Sequence, residues 1–177
     1  MAFNVNEFRS HLNTKNGPAR SANFEVNIAL PPAVGDASKI RALTLQCEAT
    51  DLPGKTYITN DAKVYGPLFK IPYQVQYDTI SFTFVSTNDF SEKKIFDDWM
   101  NLIMSPSTYN LRFPKDSGYM TNAYVTQFDD AGTKIYRVQL IDAFPIGMSS
   151  MNMAWANDGF HRLTVQFTYH KYSAIDV

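Results

Sequence analysis

The 177-residue chain holds a single cysteine, Cys47, so no intrachain disulfide can form. That fits a reducing compartment. No apolar run approaches the roughly 18 residues of a membrane span. The opening stretch, MAFNVNEFRSHLNTKNGPAR, lacks the apolar core of a secretory signal. A protein without a membrane anchor, made and kept in a cytoplasm or in something assembled there, is expected. The net charge of −1 gives no general attraction to nucleic acid or to a membrane surface.

Reactive side chains are equally sparse. His11, His161 and His170 are the only histidines. No His/Cys spacing matches a zinc site, and the last two lie near opposite ends of one strand. Cys47 reads as a small buried hydrophobe rather than a nucleophile. Asp97 and Asp98 are consecutive on a helix and point in different directions. Lys93-Lys94 is too short a basic run for DNA recognition. The glycines are scattered at turns, and none forms a phosphate loop. Asp129-Asp130-Ala131-Gly132 lacks the oxygen-ligand repeat of a calcium loop and reads as a hairpin turn. No catalytic residue, metal or cofactor is expected, and the chain does not read as an enzyme.

What the chain has is β pattern. Its length suits one domain, residues 1–177, which buries roughly 70% of its unfolded surface. Aromatics make up 14% of it, with 10 Tyr and 13 Phe, and such residues favour pleated surfaces. Residues 1–20 read as an N-terminal arm with a short helix. There Val5, Phe8 and Leu12 share a stripe, and Asn16-Gly17-Pro18 ends it. Phe24, Val26, Ile28 and Leu30 alternate as a half-buried strand. Val34 to Lys39 reads as a loop. Leu43, Leu45 and Cys47, alternating with Thr44, Gln46 and Glu48, predict a second strand. Strands follow over Ile71–Tyr77 and through Ile80, Phe82 and Phe84, then at about 122–128, 133–143 and 160–170. The second of these last three ends in an Ala-Phe-Pro corner. One long helix is expected over about 89–104, with Ile95, Phe96, Trp99, Leu102 and Ile103 on one stripe. Asp89 and Glu92 have the form of a capping box. The expected fold is mainly β, an antiparallel sandwich or barrel with one flanking helix.

Two segments suggest assembly. Residues 55–70 carry Tyr57, Ile58, Val64, Tyr65, Leu68 and Phe69 around a polar Asn60-Asp61 centre. They form either a protruding hairpin that docks on a neighbour or a flap over their own sheet. Elsewhere the strands alternate apolar residues with Thr44, Gln46, Glu48, Thr79, Ser81, Thr83, Thr164, Gln166 and Thr168. Such a neutral polar face suits the lining of a channel. It is equally what β-preferring threonine produces.

The order of these motifs resembles the tail tube proteins of contractile-tailed, T-even-like bacteriophages, from about Ser21 to Tyr172. FEVNI (Phe24–Ile28) precedes LQCEATDLPG (Leu45–Gly54), whose Cys-x-Ala-Thr-x-Leu-Pro pattern is fairly specific. VYGPLFKIPYQVQYDTISFTF leads to FDDWMNLI (Phe96–Ile103). The Asp-Asp-Ala-Gly turn, DAFP (Asp142–Pro145), MAW (Met153–Trp155) and LTVQFTYHKY (Leu163–Tyr172) follow. The resemblance implies a structural virion protein with the tail-tube β-sandwich. Six copies form a ring whose inner sheets join into one barrel. Rings stack into the hollow tube that delivers the genome through a contractile sheath. The arm at 55–70 then contacts the adjacent ring through Tyr57, Ile58, Asn60, Asp61, Val64 and Tyr65. The implied partners are further copies of the chain, the tail sheath protein, baseplate tube proteins, the tape measure protein, and genomic DNA held without sequence preference. The implied location is the phage tail, assembled in the host cytoplasm. A tube initiator at the baseplate, a tail terminator and the inner-tube subunit of a contractile injection system share the domain and stay open. So does a reading of another class. It is a monomeric β-sandwich that binds a ligand through the loop around Tyr109 and Tyr119.

Overall fold

The computed structural model describes residues 4–14, 17–35, 37–63, 65–114, 118–155 and 159–176. An N-terminal helix α1 (Val5–Thr14) has no buried residue, and only Leu12 is half-buried. Asn16, expected to help end it, lies outside the described residues. Strand β1 (Phe24–Ile28) follows as the alternation predicts, with Val26 and Ile28 buried and Glu25 and Asn27 exposed.

The next element corrects the expectation. Residues expected as a loop and then a strand form helix α2 (Ala37–Gln46), and strand β2 begins only at Cys47 (Cys47–Thr50). Leu43 is buried and Ile40 packs on the core, whereas Leu45 is 75% exposed. The period is therefore helical. Lys39, Arg41, Ala42 and Leu43 are good helix formers, so local propensity agrees.

Strands β3 (Lys55–Ala62) and β4 (Phe69–Tyr77) form a two-stranded sheet of their own. Strand β5 (Ile80–Val85) precedes helix α3 (Ser91–Ile103). The predicted helix is present, but its start is built differently. Phe90, in a left-handed conformation (φ 53°), is the residue before the first turn. The Glu92 carboxylate reaches back to Thr87, accepting its N–H at 3.2 Å and its hydroxyl at 2.9 Å. Glu92 is buried and so satisfied.

Strands β6 (Thr121–Phe128) and β7 (Lys134–Met148) are joined by the expected hairpin turn. Gly132 there takes φ 79°, and its N–H donates to the Asp129 carbonyl at 2.9 Å. The Ala-Phe-Pro corner bends β7 without ending it, which is a second correction. Asp142 adopts φ 55°, and the strand runs on to Met148 with a bulge between Pro145 and Gly147. Strand β8 (Arg162–Thr168) kinks at His170 and continues as β9 (Lys171–Ile175), a strand the alternation did not separate.

The larger sheet runs β1-β6-β7-β8-β5-β2, antiparallel throughout, with β9 also on β7. The bend in β7 divides it. One half contains β1, β6, the start of β7 and β9. The other contains residues 144–148 of β7, then β8, β5 and β2. Their apolar faces contribute to one core, including Val26, Val125, Leu140, Phe82, Phe84, Val165 and Phe167. Helix α3 places Phe96 against Phe84 (5.3 Å between ring centroids) and Trp99 edge-on to Phe167 (5.6 Å). The mainly β, antiparallel architecture expected from the sequence is thus present, and among the described residues helix α2 adds to the two helices expected.

Candidate functional site: a neutral sheet face and an exposed arm

The second half of the sheet turns one face to the core and the other away from it. Along β5 and β8, the buried residues Ile80, Phe82, Phe84, Leu163, Val165 and Phe167 alternate with more open polar ones. Register puts Ser81 opposite Gln166 and Thr83 opposite Thr164. The two threonine hydroxyls lie 3.1 Å apart. Thr79 and Thr168 continue the same alternation. Glu48 joins this face from β2 by bonding Arg162 of β8. Arg162 Nε donates to its carboxylate at 2.6 Å and Nη2 at 3.1 Å. The arginine holds the Glu48 carboxyl below the usual carboxylate range.

Thr44 and Gln46 do not belong to this face. They sit on α2, where the Thr44 hydroxyl donates to the Ile40 carbonyl at 3.0 Å. The sequence therefore named seven members of the face and two residues of a neighbouring helix.

The arm is a hairpin, with a bulge between Ile58 and Thr59. Phe69, Ile71, Tyr73 and Val75 occupy alternate positions of β4 and are all exposed, Phe69 by 68% and Tyr73 by 58%. Tyr57 lies opposite Val75, but the bulge skips Tyr73 and reverses the alternation, so Ile71 and Phe69 share the face of Ile58 instead. Asn60 pairs with Ile71 and Asp61 with Lys70, while Ile58 pairs with Gln74 and is half-buried. Tyr65 is fully exposed in the connection. Val64 lies outside the described residues. The Ile71–Tyr77 strand expected from the sequence is present, but it belongs to the arm. Ile71, Tyr73 and Val75 were not read as part of the arm, and the bulge that splits them between two faces has no signal in the alternation F-x-I-x-Y-x-V. Tyr77, at the base, packs on Tyr169 and Tyr172 at 5.9 and 5.6 Å.

Other candidates lose their chemistry. Burial pushes the Cys47 thiol up to about 12. At pH 8, alkylation of native Cys47 should therefore run roughly a thousandfold slower than in the unfolded chain, because only the thiolate reacts. Equal rates in a timed labelling experiment would place Cys47 in solvent. Tyr119 is a core residue, edge-on to Phe144 at 5.5 Å, while Tyr109 is exposed. They do not form one ligand-binding surface. A cleft of about 560 Å³ runs between Ser150 and Arg162, lined by Met151, Met153, Trp155 and Phe160. Its arginine is already paired with Glu48. Among the described residues, no group of His, Cys, Asp and Glu is arranged to hold a metal ion, and no helix is long and apolar enough to cross a membrane.

The half-sheet thus has a polar outer face with one ion pair and no net charge, and the hairpin exposes apolar residues. A family model described as phage tail tube protein matches residues 19–175. The chain belongs to the phage tail tube protein family. That family is structural rather than enzymatic. No curated protein matches the chain in sequence. Among solved structures, a chain of the PVC sheath-tube complex, an extracellular contractile injection system in its extended state, is similar. The likeness has a TM-score of 0.65 and 16% identity, over 99% of this chain and 100% of that one. A chain of the PVC sheath/tube terminator has the same TM-score at 17% identity, over 90% and 97%. A chain of the anti-feeding prophage tube terminating cap likewise scores 0.65 at 14% identity, over 90% and 92%. At these identities the likeness is one of fold. This family member therefore shares a tube-protein fold with both phage tails and contractile injection systems.

Proposed function

We propose that the chain is the repeating subunit of an inner tail tube, a single tail-tube domain that closes into six-membered rings and stacks into a hollow conduit for the genome. The observation that carries this reading is the four-stranded half-sheet with two open edges. Among the described residues, strand β2 pairs only with β5, and residues 144–148 of β7 pair only with β8. Four antiparallel strands leave these outer strands running in opposite directions. A second copy placed head-to-tail then continues the alternation, so repetition closes a barrel and removes every edge. Pro145 sits on one of those outer strands, where proline is tolerated. Unpaired edges of this kind are otherwise an aggregation hazard.

The polar face of the same half-sheet then lines the bore, through Glu48, Thr79, Ser81, Thr83, Thr164, Gln166 and Thr168. The arm reaches the adjacent ring and buries exposed apolar residues there. Cyclic contacts close, while axial contacts propagate. The sheath protein and baseplate tube proteins are the external partners, as the sheath-tube and baseplate settings of the similar structures support. The tape measure protein and DNA occupy the bore without sequence-specific contacts. The particle is a phage tail assembled in the host cytoplasm.

Electron microscopy of purified protein at rising concentration tests this. Rings and tubes of uniform diameter are expected. Single rings that never elongate, even on baseplate nuclei, would identify a terminator or initiator instead. A monomer under all these conditions would overturn the reading.

A further inference from the structure

The four strands of the proposed bore, β2, β5, β8 and residues 144–148 of β7, contain one acid and one base. They are Glu48 and Arg162, and they are bonded to each other through two hydrogen bonds. All other polar side chains there are Ser, Thr and Gln. The first half of the sheet is different, with Glu25, Lys134, Arg137, Asp142 and Lys171 along its strands.

A single arginine per subunit is not negligible on a repeating surface. Ring closure and stacking multiply it into a regular array of guanidinium groups. Each guanidinium that neutralises a phosphate releases a counterion, and such terms add along a polyanion. Arginine is also the side chain best matched to phosphate, through its forked donors. In this structure the Glu48 carboxylate occupies that fork. Both side chains are substantially exposed, so the pair adds little to stability. Its persistence on an otherwise uncharged face needs another account.

We propose that Glu48 cancels Arg162 to keep the face inert toward nucleic acid, so that a passing polyanion finds no phosphate site. This rests on the reading of the face as the bore. Arg162, for its part, gives Glu48 a fixed position, so the pair presents neither a free cation nor a mobile acid to the channel.

Tubes of the wild type, Glu48→Gln and the double variant Glu48→Gln/Arg162→Gln, assembled with short double-stranded DNA and then treated with nuclease, test this. Glu48→Gln tubes should retain roughly tenfold more protected DNA than wild type at about 50 mM salt, with the excess lost by about 200 mM. The double variant should return to the wild-type level. Retention by Glu48→Gln no greater than wild type overturns the neutralising role. Excess DNA that nuclease removes places the face outside the bore and overturns that reading, while the cancellation stands. Binding of the same DNA to unassembled subunits, by fluorescence anisotropy, gives the same three-way comparison if a variant does not assemble. A merely structural pair would lower the melting temperature in both variants equally and leave DNA binding unchanged.

Discussion

Trp99→Ala should destabilise the fold by roughly 3–5 kcal/mol, the range for deleting a large buried aromatic. For a chain of this length that is a fall in melting temperature of roughly 10 °C. Trp99 is fully buried on α3. Its ring stacks on Phe96 (6.4 Å, 10° between planes) and meets the edge of Phe167. Its Nε1–H donates to the Tyr119 carbonyl at 2.9 Å. That bond ties α3 to the segment that enters β6, so the side chain joins two layers as well as filling volume. Trp99→Phe separates the two contributions. It keeps most of the packing and leaves the buried carbonyl without its donor, for a loss of about 1–3 kcal/mol. A shift under a degree for the alanine variant, in a calorimetric melt, would show that α3 does not anchor the core. Because α3 packs behind Phe84 and Phe167 of the half-sheet, loosening it should also impair ring closure below the melting temperature.

The helix containing Trp99 was legible because its apolar residues recur at helical spacing between clear stop signals. The β6–β7 hairpin was legible because its turn demands a glycine at positive φ, and Gly132 supplies it. Helix α2 was not. Leu43, Leu45 and Cys47 alternate as a strand would, and only Ile40 and Leu43 report the helical period. Leu45 is an exposed apolar residue that imitates a core position. The continuation of β7 was hidden by Pro145, because proline is a strand breaker except on an edge. Whether a strand has a neighbour on both sides is a tertiary fact. Strand β9 was hidden in the same way, since the kink at His170 interrupts no pattern.

The polar face of the half-sheet was partly legible for a related reason. Alternation identified the polar positions of β5 and β8 correctly. It cannot show that they meet one another or that Glu48 reaches Arg162, because that bond spans two strands distant in sequence. The charge balance of the face emerges only when the sheet is assembled. For the arm, the sequence marked the right segment but assigned its second strand to the body. Nothing local distinguishes a strand that pairs with the core from one that pairs only with its hairpin partner.

Replacing residues 57–75 with a short glycine-serine linker should leave the melting temperature almost unchanged and abolish tube growth. Among the described residues the arm's strands pair only with each other, and a two-stranded hairpin is marginal in water without a surface to cover it. Its apolar residues face solvent in the monomer, so deleting it removes little burial. The linker must stop short of Tyr77, whose contacts with Tyr169 and Tyr172 belong to the body. Loss of cooperative melting would mean that the arm is core. Normal tubes would mean that stacking uses another surface. Point variants locate the active face. Phe69→Ser and Ile71→Ser lie on one face beyond the bulge, and each should raise the concentration at which tubes appear by roughly thirtyfold, equivalent to about 2 kcal/mol for a buried interface side chain. Lys70→Ser lies between them on the opposite face of the same strand and should change it little. A sheet distinguishes alternate residues by direction alone. A split along that alternation would therefore identify one face of the hairpin as the one buried between rings, and equal effects on both faces would mean that the hairpin acts only as a spacer.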